Sequence, residues 1–302
     1  MTVDETLKQI DVVLPSPIQR LEHPLFLEKN VSFYVKRDDL IHQLISGNKW
    51  RKLKYNLFEA EKLGKNTLLS FGGAYSNHIH ALAAAGNIFN FKTIGFIRGE
   101  ESRILNPTLE FAKQQGMELL YIDRQTYRKK ADPEFLSTLK KRFPGAYVIP
   151  EGGSNKFALS GCAEIIDEIN LQLNNEEYCV ATAVGSGGTI AGLLSHESKP
   201  TVLGVAVLKG ADFLRHEINS LLERDSARFS LALDYHFGGY AKADETLVRF
   251  VNDFKHWFDI NIEPIYTGKL FFALFELIKK DYFKPGTRIV AIHTGGMQGY
   301  QP

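Results

Sequence analysis

The sequence predicts an α/β protein built on open, mostly parallel sheet covered on both faces by helices. Three observations carry that prediction. Short apolar runs alternate with segments of helical periodicity along most of the chain, the pattern of strands buried on both faces. Glycine clusters at 72–73, 185–188 and 295–296 each follow such a run, and open α/β sheets bind ligands beyond the carboxyl ends of their strands. No internal repeat or low-complexity linker interrupts the alternation.

In chain order, residues 1–20 read as an irregular lead-in, because Pro15 and Pro17 favour extended backbone. A strand is expected at 33–36, followed by the charged turn Arg37-Asp38-Asp39. Trp50, Leu53, Leu57 and Ala60 recur at spacings of three and four and predict a helix, with Asn48 as N-cap and Gly64 as stop. Strands follow at 67–71 and 93–97, separated by a helix rich in alanine. Asn106-Pro107 opens another helix, with proline at its first position. Strands at 119–122 and 147–149 flank a basic, helical-looking segment. Further on, helices are expected at 157–171, 247–258 and 268–278, and strands at 179–184, 202–207, 231–235 and 289–292.

Composition excludes several classes. The 302 residues can bury one large core or two smaller ones, and 44% hydrophobic with 24% charged residues is not a disordered chain. A net charge of +1 gives no electrostatic case for nucleic acid or an anionic membrane. Cys162 and Cys179 alone make neither a disulfide framework nor a zinc site, so no metal is expected. Residues 1–10 lack the apolar segment of a secretion signal, and no apolar run is long enough to span a bilayer. The expected location is the cytoplasm.

Chemistry concentrates first at Ser46-Gly47-Asn48-Lys49-Trp50-Arg51-Lys52. Three cations crowd the first turn of a helix, where the macrodipole favours acids. Either an anion sits there, one lysine is held for its chemistry, or the side chains are simply solvated. Gly185-Ser186-Gly187-Gly188-Thr189 can turn successive backbone N–H groups toward a phosphate at a helix start. It lacks the Gly-Lys-Ser/Thr of a nucleotide P-loop, and Ile190 stands where a dinucleotide fingerprint needs glycine. Ser76-Asn77-His78 is either a helix cap or a seat for a carboxylate. A lysine turn and a phosphate loop in one open sheet point to pyridoxal phosphate. That cofactor needs a Schiff-base lysine (Lys49), a phosphate cradle (residues 185–189 with Lys52), a partner for its ring nitrogen (a hydroxyl such as Thr294) and one for its phenolic oxygen (Asn77).

Gly47-Asn48-Lys49-Trp50-Arg51-Lys52-Leu53 resembles the lysine motif of the fold-type II pyridoxal-phosphate enzymes that include 1-aminocyclopropane-1-carboxylate (ACC) deaminase and D-cysteine desulfhydrase. The similarity continues through Ser16-Pro17, residues 35–39, Ser76-Asn77-His78, Gly152-Gly153-Ser154, residues 185–189, residues 264–269 and His293-Thr294-Gly295-Gly296. It covers nearly the whole chain. The resemblance implies two open-sheet domains with the active site between them. The large, cofactor-binding one would comprise 1–51 and 158–302. The small one, 52–157, would carry the Ser-Asn-His loop. Lys49 would hold the cofactor and move the Cα proton. Lys52, Gly185, Ser186, Gly187, Gly188 and Thr189 would bind its phosphate, and Asn77 its phenolic oxygen. Ser76, Asn77 and His78 would anchor the carboxylate of a small amino-acid substrate. Tyr240 and Tyr266 would stand beside ring and substrate, with Lys49 and Ser76 as catalytic residues. A homodimer is implied.

Thr267 and Thr294 bear on the reaction. The ACC deaminase branch carries Glu and Leu at these two positions, and the desulfhydrase branch carries small hydroxyl residues. A carboxylate keeps the ring nitrogen protonated and strengthens the electron sink; a hydroxyl does not. The hydroxyl pair therefore favours β-elimination of the D-cysteine desulfhydrase kind, giving pyruvate, ammonia and sulfide. ACC deamination to 2-oxobutyrate and ammonia is the first alternative, and a non-catalytic cofactor- or amino-acid-binding protein is the second. Tyr75, His80 and Trp50 replace the Gln, Arg and Thr usual in the family, which bears on substrate identity.

Overall fold

Residues two apart along a strand face the same side of its sheet, so strands apolar at every position need cover on both sides. In the computed structural model, which describes residues 1–198 and 200–297, such strands form two sheets. The larger has the order β1-β2-β10-β7-β8-β9, built from β1 (Ile18–Leu21), β2 (Ser32–Lys36), β7 (Cys179–Val184), β8 (Thr201–Ala206), β9 (Phe229–Ala232) and β10 (Arg288–Ile292). Within it β1 and β2 run antiparallel and every other pairing is parallel. The smaller, all parallel, has the order β5-β4-β3-β6, from β3 (Thr67–Gly72), β4 (Lys92–Arg98), β5 (Glu118–Ile122) and β6 (Ala146–Val148).

The helices are α1 (Val3–Leu7), α2 (Pro24–Glu28), α3 (Asn48–Lys62), α4 (Asn77–Ile88), α5 (Pro107–Gln114), α6 (Arg124–Arg128), α7 (Pro133–Arg142), α8 (Lys156–Gln172), α9 (Gly188–Ser195), α10 (Leu214–Leu222), α11 (Glu245–Phe258) and α12 (Thr267–Lys279). β10 shows how they cover the large sheet. Its Ile289 and Ala291 join a core with Phe254 of α11 and Phe271 of α12. The intervening Val290 and Ile292 join the opposite core, with Ile166 of α8 and Ile190 of α9. The small sheet repeats the plan. Leu68 of β3 packs in the cluster of Leu57 of α3 and Leu82 of α4, whereas Leu69 and Phe71 pack in that of Tyr127 of α6 and Leu139 of α7.

The lysine helix is seated with little slack. A methyl group at Gly161 of α8 would lie 1.9 Å from the carbonyl oxygen of Arg51, so α3 and α8 touch backbone to backbone. Arg51 is fully buried beside this contact. Its guanidinium reaches Asp38 at 2.9 Å and Glu168 at 2.6 Å, and Lys36 joins Glu168 at 2.6 Å. Ser16 closes the network by donating to Asp38.

The structure corrects several local expectations. The N-cap of α3 is Gly47, not Asn48. Gly47 has φ +62°, and a Cβ there would lie 1.9 Å from the Thr294 carbonyl oxygen, so glycine is required. The freed Asn48 side chain instead donates to the Thr189 hydroxyl at 3.0 Å. The lead-in is not wholly irregular. It contains α1 and, from residue 18, the edge strand β1, whose mixed polarity hid it. Nor do the cations of the first turn behave as a solvated face, because Arg51 and Lys52 are both buried. α10 was not foreseen, and β9 begins two residues earlier than expected and ends three earlier.

Replacing Gly161 by alanine should separate α3 from α8 and disturb the Arg51 network. We expect a loss of about 1–3 kcal/mol of unfolding free energy, the usual cost of overpacking, read as a lower urea midpoint. An unchanged midpoint would show that the helices have room to move apart.

Candidate active site

The segments singled out in the sequence meet at the carboxyl ends of β3, β7 and β10. The Asn48 amide hydrogen points to the Thr294 carbonyl at 3.3 Å, joining the lysine turn to the C-terminal glycines. The Asn48–Thr189 hydrogen bond joins it to the glycine loop after β7. Gly296 lies against Asn77, since a Cβ on that glycine would fall 2.4 Å from Asn77 Nδ2. Gly185 lies against Tyr266 in the same way, at 3.3 Å. Residues from both sheets therefore line one site.

Lys49 stands at the second residue of α3. Its amine has no hydrogen-bonded partner among the described residues. Burial, and next the neighbouring Lys52 ammonium, push its pKa down to about 7. A large share of Lys49 is thus unprotonated near neutrality, as a nucleophile or proton acceptor requires. Lys52, one turn on, reaches only the Gly152 carbonyl and the Ser154 hydroxyl, each at 3.3 Å. Two long bonds leave a buried ammonium poorly satisfied.

Opposite Lys52 is the start of α9. Its N-cap, Gly187, is left-handed (φ +76°), and Gly188 and Thr189 open the helix. A methyl at Gly188 would stand 3.0 Å from Lys52 Nζ and 2.4 Å from Ser154 Oγ. Ser186 Oγ and Ser154 Oγ share a hydrogen bond of 2.8 Å. Backbone N–H groups at a helix start, an unsatisfied ammonium and hydroxyls converge here, which is the donor set a phosphate needs. With an amine free of partners beside this cradle, the residues fit pyridoxal phosphate.

Ser76 is the N-cap of α4, and its hydroxyl oxygen accepts the Ile79 amide hydrogen. That leaves the hydroxyl hydrogen for a ligand. The Asn77 and His78 amides begin the helix and face the same end. His78 is buried, with Nε2 2.8 Å from Ser70 Oγ. His80 lies flat on Phe111, its ring centroid 3.8 Å away. Burial pushes its pKa to about 4, and the stacking marks it as a packing residue.

Tyr266 and Tyr240 meet edge to face, centroids 5.8 Å apart. Burial first, and then Tyr240, raise the Tyr266 pKa well above its ordinary value, so its phenol keeps its proton and can donate it in a hydrogen bond. Thr267 is fully buried and its hydroxyl is 3.0 Å from a Glu263 carboxylate oxygen. Thr294, 7% exposed, lends its carbonyl to the Asn48 amide.

Two residues were missed from sequence. Glu263, 1% exposed, accepts the amide hydrogens of Ile265, Tyr266 and Thr267 and so shapes the turn that carries Tyr266. Burial pushes its pKa up to about 7. Lys269, fully buried, donates to the carbonyls of His236 at 2.9 Å and Gly239 at 2.7 Å, tying the Tyr240 loop to α12. Their signal was a charged residue in an apolar stretch, visible but without a partner until the fold closes. Among the described residues no group of three or more His, Cys, Asp or Glu side chains could hold a metal ion, and no helix is long and apolar enough to cross a membrane.

The chain is similar to known proteins. The family described as "Pyridoxal-phosphate dependent enzyme" matches residues 11–295. A Thermotoga maritima protein, provisionally named 1-aminocyclopropane-1-carboxylate deaminase, is 33% identical over 99% of this chain and 97% of its own length. An Arabidopsis thaliana protein named bifunctional D-cysteine desulfhydrase/1-aminocyclopropane-1-carboxylate deaminase, mitochondrial, is 30% identical over 95% of this chain and 77% of its own. A solved structure described as an ACC deaminase homologue has a TM-score of 0.79 at 31% identity, covering 99% of this chain and 95% of that one.

Capture of pyridoxal phosphate by the cofactor-free chain needs Lys49 as the free amine. Because its folded pKa is lowered to about 7, the capture rate should rise between pH 6 and 8 and then level off. Stopped-flow absorbance measures it. A rate still climbing tenfold per unit above pH 9, as for an ordinary lysine, would contradict the lowered pKa.

Proposed function

The chain belongs to the pyridoxal-phosphate dependent enzyme family, and on that premise we propose that it catalyses α,β-elimination on a small amino acid of the D-cysteine kind. The products are pyruvate, ammonia and sulfide. One observation carries the choice of reaction. Thr267 and Thr294, both buried, stand where a carboxylate and a leucine would mark the deaminase branch. The nearby buried carboxylate, Glu263, is already occupied by three backbone N–H groups and the Thr267 hydroxyl.

Bound pyridoxal phosphate supplies an electron sink that acidifies the Cα–H of an attached amino acid and eases loss of its β-substituent. The chain's residues do the rest. Lys52, Ser186, Thr189 and the N–H groups of 187–189 hold the phosphate. Asn77 meets the phenolic oxygen. Ser76 donates its hydroxyl hydrogen to the substrate carboxylate, beside the Asn77 and His78 amides. Lys49 Nζ takes the Cα proton on the face of the site where α3 begins. Tyr266 donates a hydrogen bond near the departing group, and Tyr240 walls the opening. The same reading divides the chain into a large unit (1–51 and 158–302) on the six-stranded sheet and a small one (52–157) on the four-stranded sheet. It makes the protein a cytoplasmic homodimer.

ACC deamination is the second reading. The names of the Thermotoga relative and of the solved homologue favour it, and the Arabidopsis relative is named for both reactions. Incubating the pyridoxal-phosphate-loaded protein with D-cysteine, L-cysteine and ACC, followed by product identification, decides between them. We expect pyruvate and sulfide from D-cysteine, at least tenfold faster than 2-oxobutyrate from ACC. Dominant 2-oxobutyrate would overturn the weight given to Thr267 and Thr294. Turnover of none of the three would point to a different amino acid or to binding without catalysis.

A further inference from the structure

Lys269 is a buried charge to which the reaction above gives no task. It is the third residue of α12 and is fully buried. A buried ammonium is ordinarily matched with a carboxylate, yet no carboxylate pairs with this one among the described residues. Main-chain oxygens surround it instead. Nζ donates to the carbonyls of Gly239 at 2.7 Å and His236 at 2.9 Å, and the Val207 carbonyl lies at 3.5 Å. Carbonyl oxygens converging on one positive centre are how a protein replaces the hydration shell of a monovalent cation. Burial pulls the Lys269 pKa down to about 8, with Glu263 working the other way, so most of the group is charged at neutral pH.

The loop that supplies two of these oxygens takes a conformation its own residues do not favour. Phe237, Gly238, Gly239 and Ala241 have φ of +52°, +90°, +119° and +55°. Phenylalanine and alanine seldom adopt that region, and the glycines bring no side chain to pack. Phe237 meets Phe272 edge to face, centroids 4.9 Å apart, which anchors the start of the loop. Beyond it, the His236 and Gly239 carbonyls accept the amide hydrogens of Gly239 and Lys242 as well as those of Lys269, so the ammonium sits where the loop folds on itself. Tyr240, in the same loop, is 41% exposed and meets the ring of Tyr266, the N-cap of α12 three residues before Lys269. We propose that Lys269 Nζ acts as a tethered monovalent cation, the positioning group that fixes the Tyr240 loop against α12, and that the carbonyls of Val207, His236 and Gly239 form a site that takes potassium or ammonium once the lysine is removed. The inference rests on the proposed function only for the task it gives Tyr240.

Hydrogen–deuterium exchange of the amides of residues 236–242, read by mass spectrometry on the full pyridoxal-phosphate-loaded chain, tests it, because exchange reports how often the loop opens. Lys269→Met keeps the buried stem and removes the charge. Its loop amides should exchange about tenfold faster than in wild type, the change expected for losing one hydrogen bond to a charged group. Lys269→Ala should open the loop in lithium or tetramethylammonium chloride. Potassium or ammonium chloride at the same ionic strength should restore slow exchange, saturating with concentration. Neither salt should protect Lys269→Met, whose side chain fills the site, and neither should alter the wild type. Wild-type exchange in Lys269→Met overturns the inference, as does a salt effect in Lys269→Ala that is equal for lithium and potassium. Should neither variant fold, the wild-type protein decides. Loop exchange that is the same in tetramethylammonium and potassium chloride supports the tethered cation, and a loop that closes only with potassium overturns it. Turnover of D-cysteine separates the two ideas. A chain whose Lys269→Ala loop closes with potassium but that turns over no amino acid loses only the functional reading. One that turns over D-cysteine and shows no cation-specific effect loses only the Lys269 role.

Discussion

A buried guanidinium holds the lysine helix in place. Arg51 is fully enclosed, and only Asp38 and Glu168 make its charge tolerable there. Burial works against the charge, and the two carboxylates more than offset it. Asp38 follows strand β2 and Glu168 lies on α8, so one side chain ties α3 to a strand of the large sheet and to a helix covering it. Removing one member of such a network typically costs about 3–5 kcal/mol, because it strands the others without partners. Lys36 and Ser16 extend the network to the lead-in. The geometry of the site follows, since Lys49 and Lys52 flank Arg51 on the same turn of helix.

The three cations at a helix start thus separate by role. Arg51 has its anions inside the protein. Lys52 has two long contacts and faces the start of α9 across Gly188, an arrangement that leaves room for an external anion. Lys49 has neither, and its low pKa is the electrostatic consequence of burial next to a like charge. A charge pattern unfavourable for an isolated helix becomes consistent once each cation is matched with what surrounds it.

Much of this was legible in the sequence for a physical reason. Glycines that leave room for a close neighbour, the Thr294 backbone at Gly47 and the Ser154 and Lys52 side chains at Gly188, stand out in the sequence, and apolar runs mark the strands. Other features depend on partners far along the chain. Glu168 is 117 residues from Arg51, and nothing local shows that they meet. The edge strand β1 buries only one of its four residues fully and carries no apolar run. The Asn48 cap expected from local preference gave way to Gly47, because tertiary contact with Thr294 needs a backbone without Cβ. The carbonyls around Lys269 come from Val207, His236 and Gly239, a relation no local pattern contains.

Lys49 stands at the centre of these relations, as an amine whose pKa burial lowers to about 7 and which has no hydrogen-bonded partner among the described residues. Borohydride reduction of the pyridoxal-phosphate-loaded protein, followed by peptide mapping, shows directly which amine bears the cofactor. The pyridoxyl group should be found on Lys49. Finding it on Lys52, on another lysine, or on none would contradict the assignment on which the site is built.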